Sequence, residues 1–247
     1  MNLHTNNENF QNAILATAQL FGIREVYVEK DYWVTVALHE IFHSELAYQV
    51  VFKGGTALSK CYKLIDRFSE DIDLVVLRNK GESDNQLKHK IKAIGKVVAH
   101  VLPEIEVDGL THKKGNIRKT VHPYEKLFRE NTGQVREHII LESTWLGNSE
   151  PFTEIQIGSY VYEMMMRREQ QVQIEKYKLA PFSVQVLSKE RTFCEKIMSL
   201  VRFSRSNDPI TDLRNKIRHV YDIHQMLKDN HTRAFFENTE FDDMLLK

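Results

Sequence analysis

The sequence predicts an α/β protein (α+β in stricter usage) in which a small mixed sheet lies between N-terminal helices and a C-terminal helical portion. Short apolar runs at residues 50–52, 71–77 and 139–141 predict buried strands. Apolar residues at helical spacing precede these runs, at residues 9–21, and follow them, at residues 189–203. The strand signals therefore occupy the middle of the chain, and helices occupy both ends.

The composition is that of a globular protein without a global charge bias. The 247 residues are 42% hydrophobic and 28% charged, with a formal net charge of zero. A nucleic-acid partner would therefore need a local basic patch. Cys61 and Cys194 are far apart, which fits a reducing compartment and excludes a multi-cysteine zinc site. The chain shows no signal peptide and no apolar run long enough to span a bilayer, so we expect a cytoplasmic protein with no membrane partner.

Two helices are predicted before the first strand, at residues 9–21 and 26–42. Gly22 ends the first of them. The second contains the charged run Glu29-Lys30-Asp31 beside Tyr32-Trp33. The pattern alone indicates a charged helix start above an aromatic core contact. Because this run lies just before the first strand, a substrate-facing Lys30 or Asp31 remains an alternative.

The segment 50–76 contains the residues from which a catalytic function is predicted. Gly54-Gly55 follows a strand and precedes a helix, so the backbone can approach a phosphate closely at that point. Asp71 and Asp73 are two residues apart on the next strand, which directs both carboxylates to one face. A divalent cation such as Mg²⁺ would relieve their repulsion and could position a triphosphate. The alternative is a turn followed by a solvated acidic strand end, but the combined order and spacing favour catalysis.

Beyond the second strand, a helix is predicted at residues 86–101. The stretch 105–123 is mixed and turn-rich, and Gly109 and Gly115 suggest short strands in it. A third sheet strand is predicted at residues 135–145. It places Glu142 as the candidate third carboxylate, although an acidic residue at a strand edge is an equal alternative. A further strand at 153–158 and a helix at 160–168 complete this part.

The organisation changes near Ala180-Pro181. We expect residues 1–180 to form the catalytic core with its N-terminal helices, and residues 181–247 to form a helical portion that completes the site. A β-like run at 182–187 opens the second part, Ser188 starts a helix at 189–203, and the last clear helix is predicted at 212–227.

The helical portion carries a local excess of positive charge. Between Leu187 and His219 there are eight basic and four acidic residues. Lys196 could hold a triphosphate, and the arginines could contact an RNA backbone. Arg218 and Asp222 are four residues apart, so spacing favours a surface ion pair, with an orienting role for Asp222 as the alternative.

Four segments resemble the AbiEii/AbiGii family of nucleotidyltransferase toxins, which includes the MenT toxins of type IV toxin–antitoxin systems. They are Glu29 to Trp33, Lys53 to Leu74, Glu195 to Ile197 and Arg214 to Ile223. The resemblance covers most of the chain and implies a nucleotidyltransferase core of the polymerase β-like type. The last motif departs from the family's usual R-x-K-D-x-Y-D-L, because Arg218-His219 stands where Lys-Asp is expected. No acidic role can therefore be assigned to position 219.

The resemblance also implies roles for individual residues. Matching positions give nucleotide contacts at Gly54, Gly55, Thr56, Arg67, Ser69 and Lys196. Metal ligands are implied at Asp71 and Asp73, to which the predicted strand adds Glu142. The expected catalytic set is Asp71, Asp73, Lys196 and Asp222.

The implied activity is transfer of a nucleoside monophosphate from an NTP, with Mg²⁺ or Mn²⁺, to an acceptor such as a tRNA 3′ end. The family also implies a toxin–antitoxin role with a cognate antitoxin, and a role in phage defence. A binding module without turnover is a second hypothesis, against which the intact Asp71, Asp73 and Lys196 argue. Transfer onto a protein hydroxyl is a third.

Overall fold

The computed structural model describes residues 1–69, 71–128 and 136–246 of the chain. Six strands form one sheet in these ranges, in the order β3-β4-β2-β1-β6-β5. Their bounds are Val50–Lys53 (β1), Asp71–Val76 (β2), Ile117–Pro123 (β3), His138–Thr144 (β4), Phe152–Ile157 (β5) and Phe182–Leu187 (β6). The pairs β2–β4 and β1–β6 are parallel and the other three are antiparallel. The predicted α/β fold with a mixed sheet is confirmed.

Most of the helices precede β1 or follow β6 in the chain. Their bounds are Asn7–Phe21 (α1), Glu25–Phe42 (α2), Gly54–Lys60 (α3), Asp84–Ala99 (α4), Tyr160–Arg167 (α5), Gln171–Lys176 (α6), Lys189–Phe203 (α7), Pro209–Asn215 (α8), Ile217–Met226 (α9), Asn230–Phe236 (α10) and Thr239–Leu245 (α11). No helix in the described part of the chain is both long and apolar enough to cross a membrane.

The charged run at the start of α2 is buried and holds other segments of the chain. Glu29 is 1% exposed, and its carboxylate accepts the backbone N–H groups of Leu127 (2.7 Å) and Phe128 (3.2 Å). Lys30 is fully buried and donates to the backbone carbonyl of His138, at the start of β4. These two charges therefore hold the segment that follows β3 and the start of β4.

Asp31 completes this arrangement on the other side of α2. It pairs with Lys60 at the end of α3, and it accepts the backbone N–H of Tyr160 (2.8 Å) at the start of α5. The pair is almost completely buried, so both charges depend on each other for stability. The interpretation of this run as a structural helix start is the one that the contacts support. The alternative of a substrate-facing Lys30 finds no support in them, whereas Asp31 borders a pocket and its alternative stays a prediction.

One sequence expectation differs from the structure. The predicted helix at 212–227 is two helices, because the backbone at Lys216 leaves the helical region (φ −104°, ψ 12°) between α8 and α9. Within residues 105–123, where short strands are expected, the structure contains β3, a strand of seven residues at the sheet edge. The start of the predicted third strand, at Val135, lies outside the described residues.

The sheet also extends further along the chain than residue 180. Strand β6 lies between β1 and β5, so the exclusively helical portion starts at Lys189. This portion packs onto α3 and the segment after it through an apolar cluster that includes Leu58, Ile65, Phe193 and Met226. The cluster places α7 and α9 beside the strand ends of β1 and β2.

Candidate active site

A row of four charged side chains crosses the sheet. Lys119, Glu142, Asp73 and Lys53 are successive register partners on β3, β4, β2 and β1. Register partners project from the same face, so the row carries two carboxylates flanked by two ammonium groups. Asp71 lies two residues before Asp73 on the same face. The structure thus brings Asp71, Asp73 and Glu142 together, as the sequence predicts.

The diglycine lies against this row at a distance that only glycine allows. Gly54 has a φ of +80°, and a Cβ added to it would lie 2.1 Å from Asp73 Oδ2. A Cβ on Gly55 would lie 2.7 Å from Arg67 Nη2 and 2.8 Å from Ser69 Oγ. The backbone therefore touches the acidic strand on one side and Arg67 on the other.

Thr56 has a different position from the two glycines. It is 2% exposed, and its hydroxyl donates to the backbone carbonyl of Asp71 and lies 3.0 Å from the Ser69 hydroxyl. It joins α3 to the start of β2. Gly54 and Gly55 line a large cleft, and Thr56 does not. These contacts support a positioning role for Thr56.

Asp222 on α9 connects Arg67 and Lys196. Its carboxylate is 0% exposed and accepts two hydrogen bonds from the Arg67 guanidinium, at 2.7 Å each, and one from Lys196 Nζ at 2.8 Å. Burial alone would raise the pKa of Asp222, but the bonds from Arg67 and Lys196 hold that pKa below its ordinary value. The surface ion pair with Arg218 that spacing favours is wrong, because the Asp222 side chain points inward.

A cleft of about 960 Å³ separates the acidic face of the sheet from helices α7 to α9. Four acidic side chains line it: Asp71, Asp73, Glu142 and Glu195. Seven basic side chains line it as well: Lys53, Arg67, Lys196, Arg202, Arg205, Lys216 and Arg218. The carboxylates of the sheet and the cations of the helices therefore face a common space, which we call the central cleft.

Protein cations contact the acids of the cleft. Arg136 Nη1 lies 2.6 Å and 2.8 Å from the two carboxylate oxygens of Asp71. Lys53 Nζ lies 3.1 Å from Glu195 Oε2. Sequence reasoning did not select Lys53 or Arg136. The position of Lys53 directly before the diglycine was a usable signal, whereas the Arg136 contact depends on how β4 pairs with β2.

The crowding of carboxylates changes the protonation of Asp73. Burial raises the pKa of Asp73 to about 7, and the negative charges of Glu142 and Asp71 act in the same direction. A bound cation would counteract this repulsion. Across the cleft, burial together with Lys196 and Lys216 lowers the pKa of His219 to about 4, so this imidazole is neutral at pH 7. Its Nδ1 is buried and has no hydrogen-bond partner among the described residues.

The donor set fits a magnesium ion that is shared with a substrate. In the described residues no three His, Cys, Asp or Glu side chains are placed to hold a metal by themselves. Mg²⁺ commonly takes one or two carboxylates and completes its shell with substrate phosphates and water. Asp71 and Asp73 provide two hard oxygen ligands on one strand face, which is sufficient for this mode.

The central cleft thus has carboxylates on its sheet side, basic side chains on its helix side and the diglycine beside the carboxylates. This arrangement is suited to binding a nucleoside triphosphate with a divalent cation. The sequence model described as "Nucleotidyl transferase AbiEii toxin, Type IV TA system" matches residues 36–247. The chain belongs to this family, and it is a nucleotidyltransferase toxin of the type IV toxin–antitoxin class. The family implies an NTP substrate and an antitoxin partner.

MenT4, the nucleotidyltransferase toxin Rv2826c from Mycobacterium tuberculosis H37Rv, is a similar solved structure, with 16% identity and a TM-score of 0.43. The match covers 89% of this chain and 72% of that chain. No curated protein sequence matches this chain. The family assignment rests on the sequence match over residues 36–247.

Replacing Gly54 with alanine tests the close approach of the diglycine to Asp73. Gly81 is the matched control, because its φ is +86° and a Cβ there meets nothing within 4 Å. Both changes carry a positive-φ cost of roughly 1–2 kcal/mol, but only Gly54→Ala displaces the Asp73 carboxylate. We expect Gly54→Ala to lower the free energy of unfolding in urea by more than Gly81→Ala does, and to reduce nucleotide transfer at least 100-fold. Equal effects of the two variants would contradict the geometry.

Replacing Asp222 with asparagine tests the buried carboxylate. The change keeps the shape but leaves Arg67 and Lys196 without an anion, so we expect a loss of about 3–5 kcal/mol in the free energy of unfolding. The exposed Asp243→Asn in α11 is the control and should change stability little.

The pH dependence of stability provides a second measurement for Asp222. A lowered pKa in the folded state stabilises the protein above the ordinary aspartate value of about 3.9. This contribution is lost as the pH falls through the lower folded-state pKa. The difference in unfolding free energy between wild type and Asp222→Asn should therefore be constant from about pH 7 to 5 and shrink below about pH 4. A difference independent of pH would contradict the pairing.

Proposed function

We propose that this nucleotidyltransferase uses Mg²⁺ to transfer a nucleoside monophosphate from an NTP to an RNA hydroxyl, with the 3′ end of tRNA as the first candidate acceptor. The observation that carries the proposal is the central cleft itself. Its sheet wall offers oxygen ligands for a divalent cation, and its helix wall offers cations for phosphates. The expected cytoplasmic location, where NTPs and tRNA are both present, stays a prediction.

The proposed reaction is an in-line displacement at the α-phosphorus. The acceptor oxygen forms a bond to phosphorus, the bond from phosphorus to the β-bridging oxygen breaks, and pyrophosphate leaves. The hydroxyl proton passes to solvent. Bound to Asp71 and Asp73, Mg²⁺ would supply charge neutralisation at the phosphates and their alignment. Catalysis then consists mainly of positioning and electrostatic stabilisation.

Lys196 is the proposed phosphate contact on the helix wall. Its ammonium group lies 2.8 Å from Asp222 Oδ2, which fixes its direction, and it borders the cleft while being 6% exposed. Arg67 is held by the same carboxylate and lies beside Gly55. Asp222 is buried behind both cations, so we assign it a positioning role. Glu142 supports the metal site through its place opposite Asp73.

The charge of the helix wall favours RNA as the acceptor. Arg202, Arg205, Lys216 and Arg218 line the helix wall of the cleft, which gives a local basic patch in a chain of zero net charge. A polyphosphate chain such as RNA meets such a patch favourably. A protein hydroxyl would gain less from four additional cations. Transfer to RNA is therefore the stronger of the two acceptor hypotheses.

The test incubates the protein with each α-labelled NTP and total tRNA, and in parallel with tRNA-free cell lysate. We expect label in RNA, complete loss of transfer on addition of EDTA, and recovery on addition of Mg²⁺. Asp71→Asn should reduce transfer at least 100-fold. Glu154→Gln, an exposed acid on β5 outside the cleft, should leave it within twofold.

The contrary outcomes are distinct. Transfer by Asp71→Asn within tenfold of wild type would refute the metal-binding role. Label that appears in lysate protein and not in RNA would instead establish a protein hydroxyl as the acceptor.

A further inference from the structure

A second pocket adjoins the central cleft at the segment that precedes β2. Its volume is about 530 Å³, within the range of roughly 300–1,000 Å³ typical of ligand sites. Arg67 and Ser69 line both this pocket and the central cleft. These two side chains therefore form a boundary that the pocket shares with the cleft in which Asp71 and Asp73 meet the diglycine.

The walls of this pocket combine aromatic rings with cations. The aromatic residues are Phe21, Tyr27, Phe68 and Tyr160, and the basic residues are Arg24, Lys60, Lys63, Arg67 and Arg167. Three acidic residues, Asp31, Asp66 and Glu163, also line it. Asp31 pairs with Lys60 and Glu163 pairs with Lys63, so the basic excess of the lining comes from the arginines. We call this site the aromatic pocket.

The rings and the cations are in direct contact with one another. Tyr27 is stacked on Phe68, with ring centroids 4.6 Å apart and an interplanar angle of 27°. The Arg167 guanidinium lies 4.6 Å from the centroid of the Phe21 ring. Lys63 Nζ lies 5.8 Å from the centroid of the Tyr160 ring. The pocket lining therefore contains both aromatic rings in contact with each other and aromatic rings in contact with cations.

This combination matches single-stranded nucleic acid. Unpaired bases stack on aromatic rings and on guanidinium planes, and the backbone phosphates contact neighbouring cations. A duplex would keep its bases stacked on each other and would gain only the phosphate contacts. A peptide carries neither stacked bases nor a phosphate at every unit, so it would make fewer contacts with these rings and cations. The chemistry of the lining thus favours a single strand.

We propose that the aromatic pocket binds the unpaired end of the nucleic-acid acceptor and delivers its terminal hydroxyl to the central cleft. The assignment of that hydroxyl rests on the proposed function. The binding itself does not, because it needs neither NTP nor Mg²⁺. Arg67 and Ser69 lie at the boundary of the two sites, and Tyr27 with Phe68 forms the stacking wall.

Binding is measured by fluorescence anisotropy with a fluorescein-labelled 12-nucleotide single-stranded RNA of mixed sequence, without NTP. We expect Tyr27→Leu to raise Kd at least tenfold, because base–aromatic stacking contributes of this order or more per base. Tyr27→Phe keeps the ring and should bind within twofold of wild type. This conservative variant separates loss of stacking from a general disturbance of α2.

Arg167 has a matched control in its neighbour. Arg167 and Arg168 are both exposed at the end of α5, but only Arg167 lines the aromatic pocket. We expect Arg167→Gln to raise Kd about three- to tenfold and to reduce the slope of log Kd against log salt by about 0.7, as for one lost contact to a single strand. Arg168→Gln should change neither quantity.

The outcomes separate this inference from the proposed function. Weakened RNA binding by Tyr27→Leu and Arg167→Gln, with Tyr27→Phe and Arg168→Gln unchanged, supports the site even if no label reaches RNA in the transfer assay. Transfer to RNA with the same KM for RNA in Arg167→Gln as in wild type overturns the site and leaves the proposed function intact. Absence of measurable RNA binding, or equal RNA binding by all four variants, also overturns the site. A pocket that binds a protein partner and not RNA would give one of these two results.

Discussion

The buried carboxylate of Asp222 connects the helical portion to the segment before β2, and both walls of the central cleft depend on it. Arg67 comes from that segment and Lys196 from α7, so one anion holds two cations that belong to different parts of the chain. Without it the two cations would repel each other in a poorly solvated place. The apolar cluster around Phe193 and Met226 brings the helices to α3, but a hydrophobic contact is non-directional. The hydrogen bonds to Asp222 are directional and fix how the helices face the sheet.

The diglycine determines how close Asp73 and Arg67 lie to each other in the cleft. Because neither glycine has a side chain, the backbone at Gly54 comes into contact with the Asp73 carboxylate, and the backbone at Gly55 comes into contact with Arg67. The acidic strand and the cation that Asp222 positions are thereby separated by little more than a peptide unit. Asp73 is consequently poorly solvated and lies near two other carboxylates, which explains its raised pKa. The close approach of the backbone to Asp73 and the raised pKa of Asp73 are thus both consequences of the diglycine.

Local patterns in the sequence predicted the parts of the site that depend on local geometry. The common face of Asp71 and Asp73 follows from strand periodicity, and the position of Glu142 follows from an apolar run that is recognisable as a strand. The partners of Asp222 could not be predicted from spacing, because Arg67 is 155 positions away in the chain and Arg218 is four positions away. Strand β3 could be placed only loosely, as one of the short strands of a turn-rich stretch, because its polar surroundings give no clear alternation; pairing with β4 over seven residues defines it. Register and long-range packing therefore account for what the sequence did not show.

The ion pairs in the central cleft explain how several carboxylates can be kept close together before a substrate binds. Arg136 contacts Asp71, and Lys53 contacts Glu195, so the folded protein does not carry these charges without compensation. In the proposed reaction, a metal-bound triphosphate that reaches Asp71 must replace Arg136 there. The side chains of Asp71 and Arg136 are 32% and 43% exposed, so this pair is weak and its exchange costs little. The Asp222 pairs are buried and strong by comparison. The cleft therefore combines a rigid set of charges, which positions the cations, with an exposed set that can change partners when the nucleotide arrives.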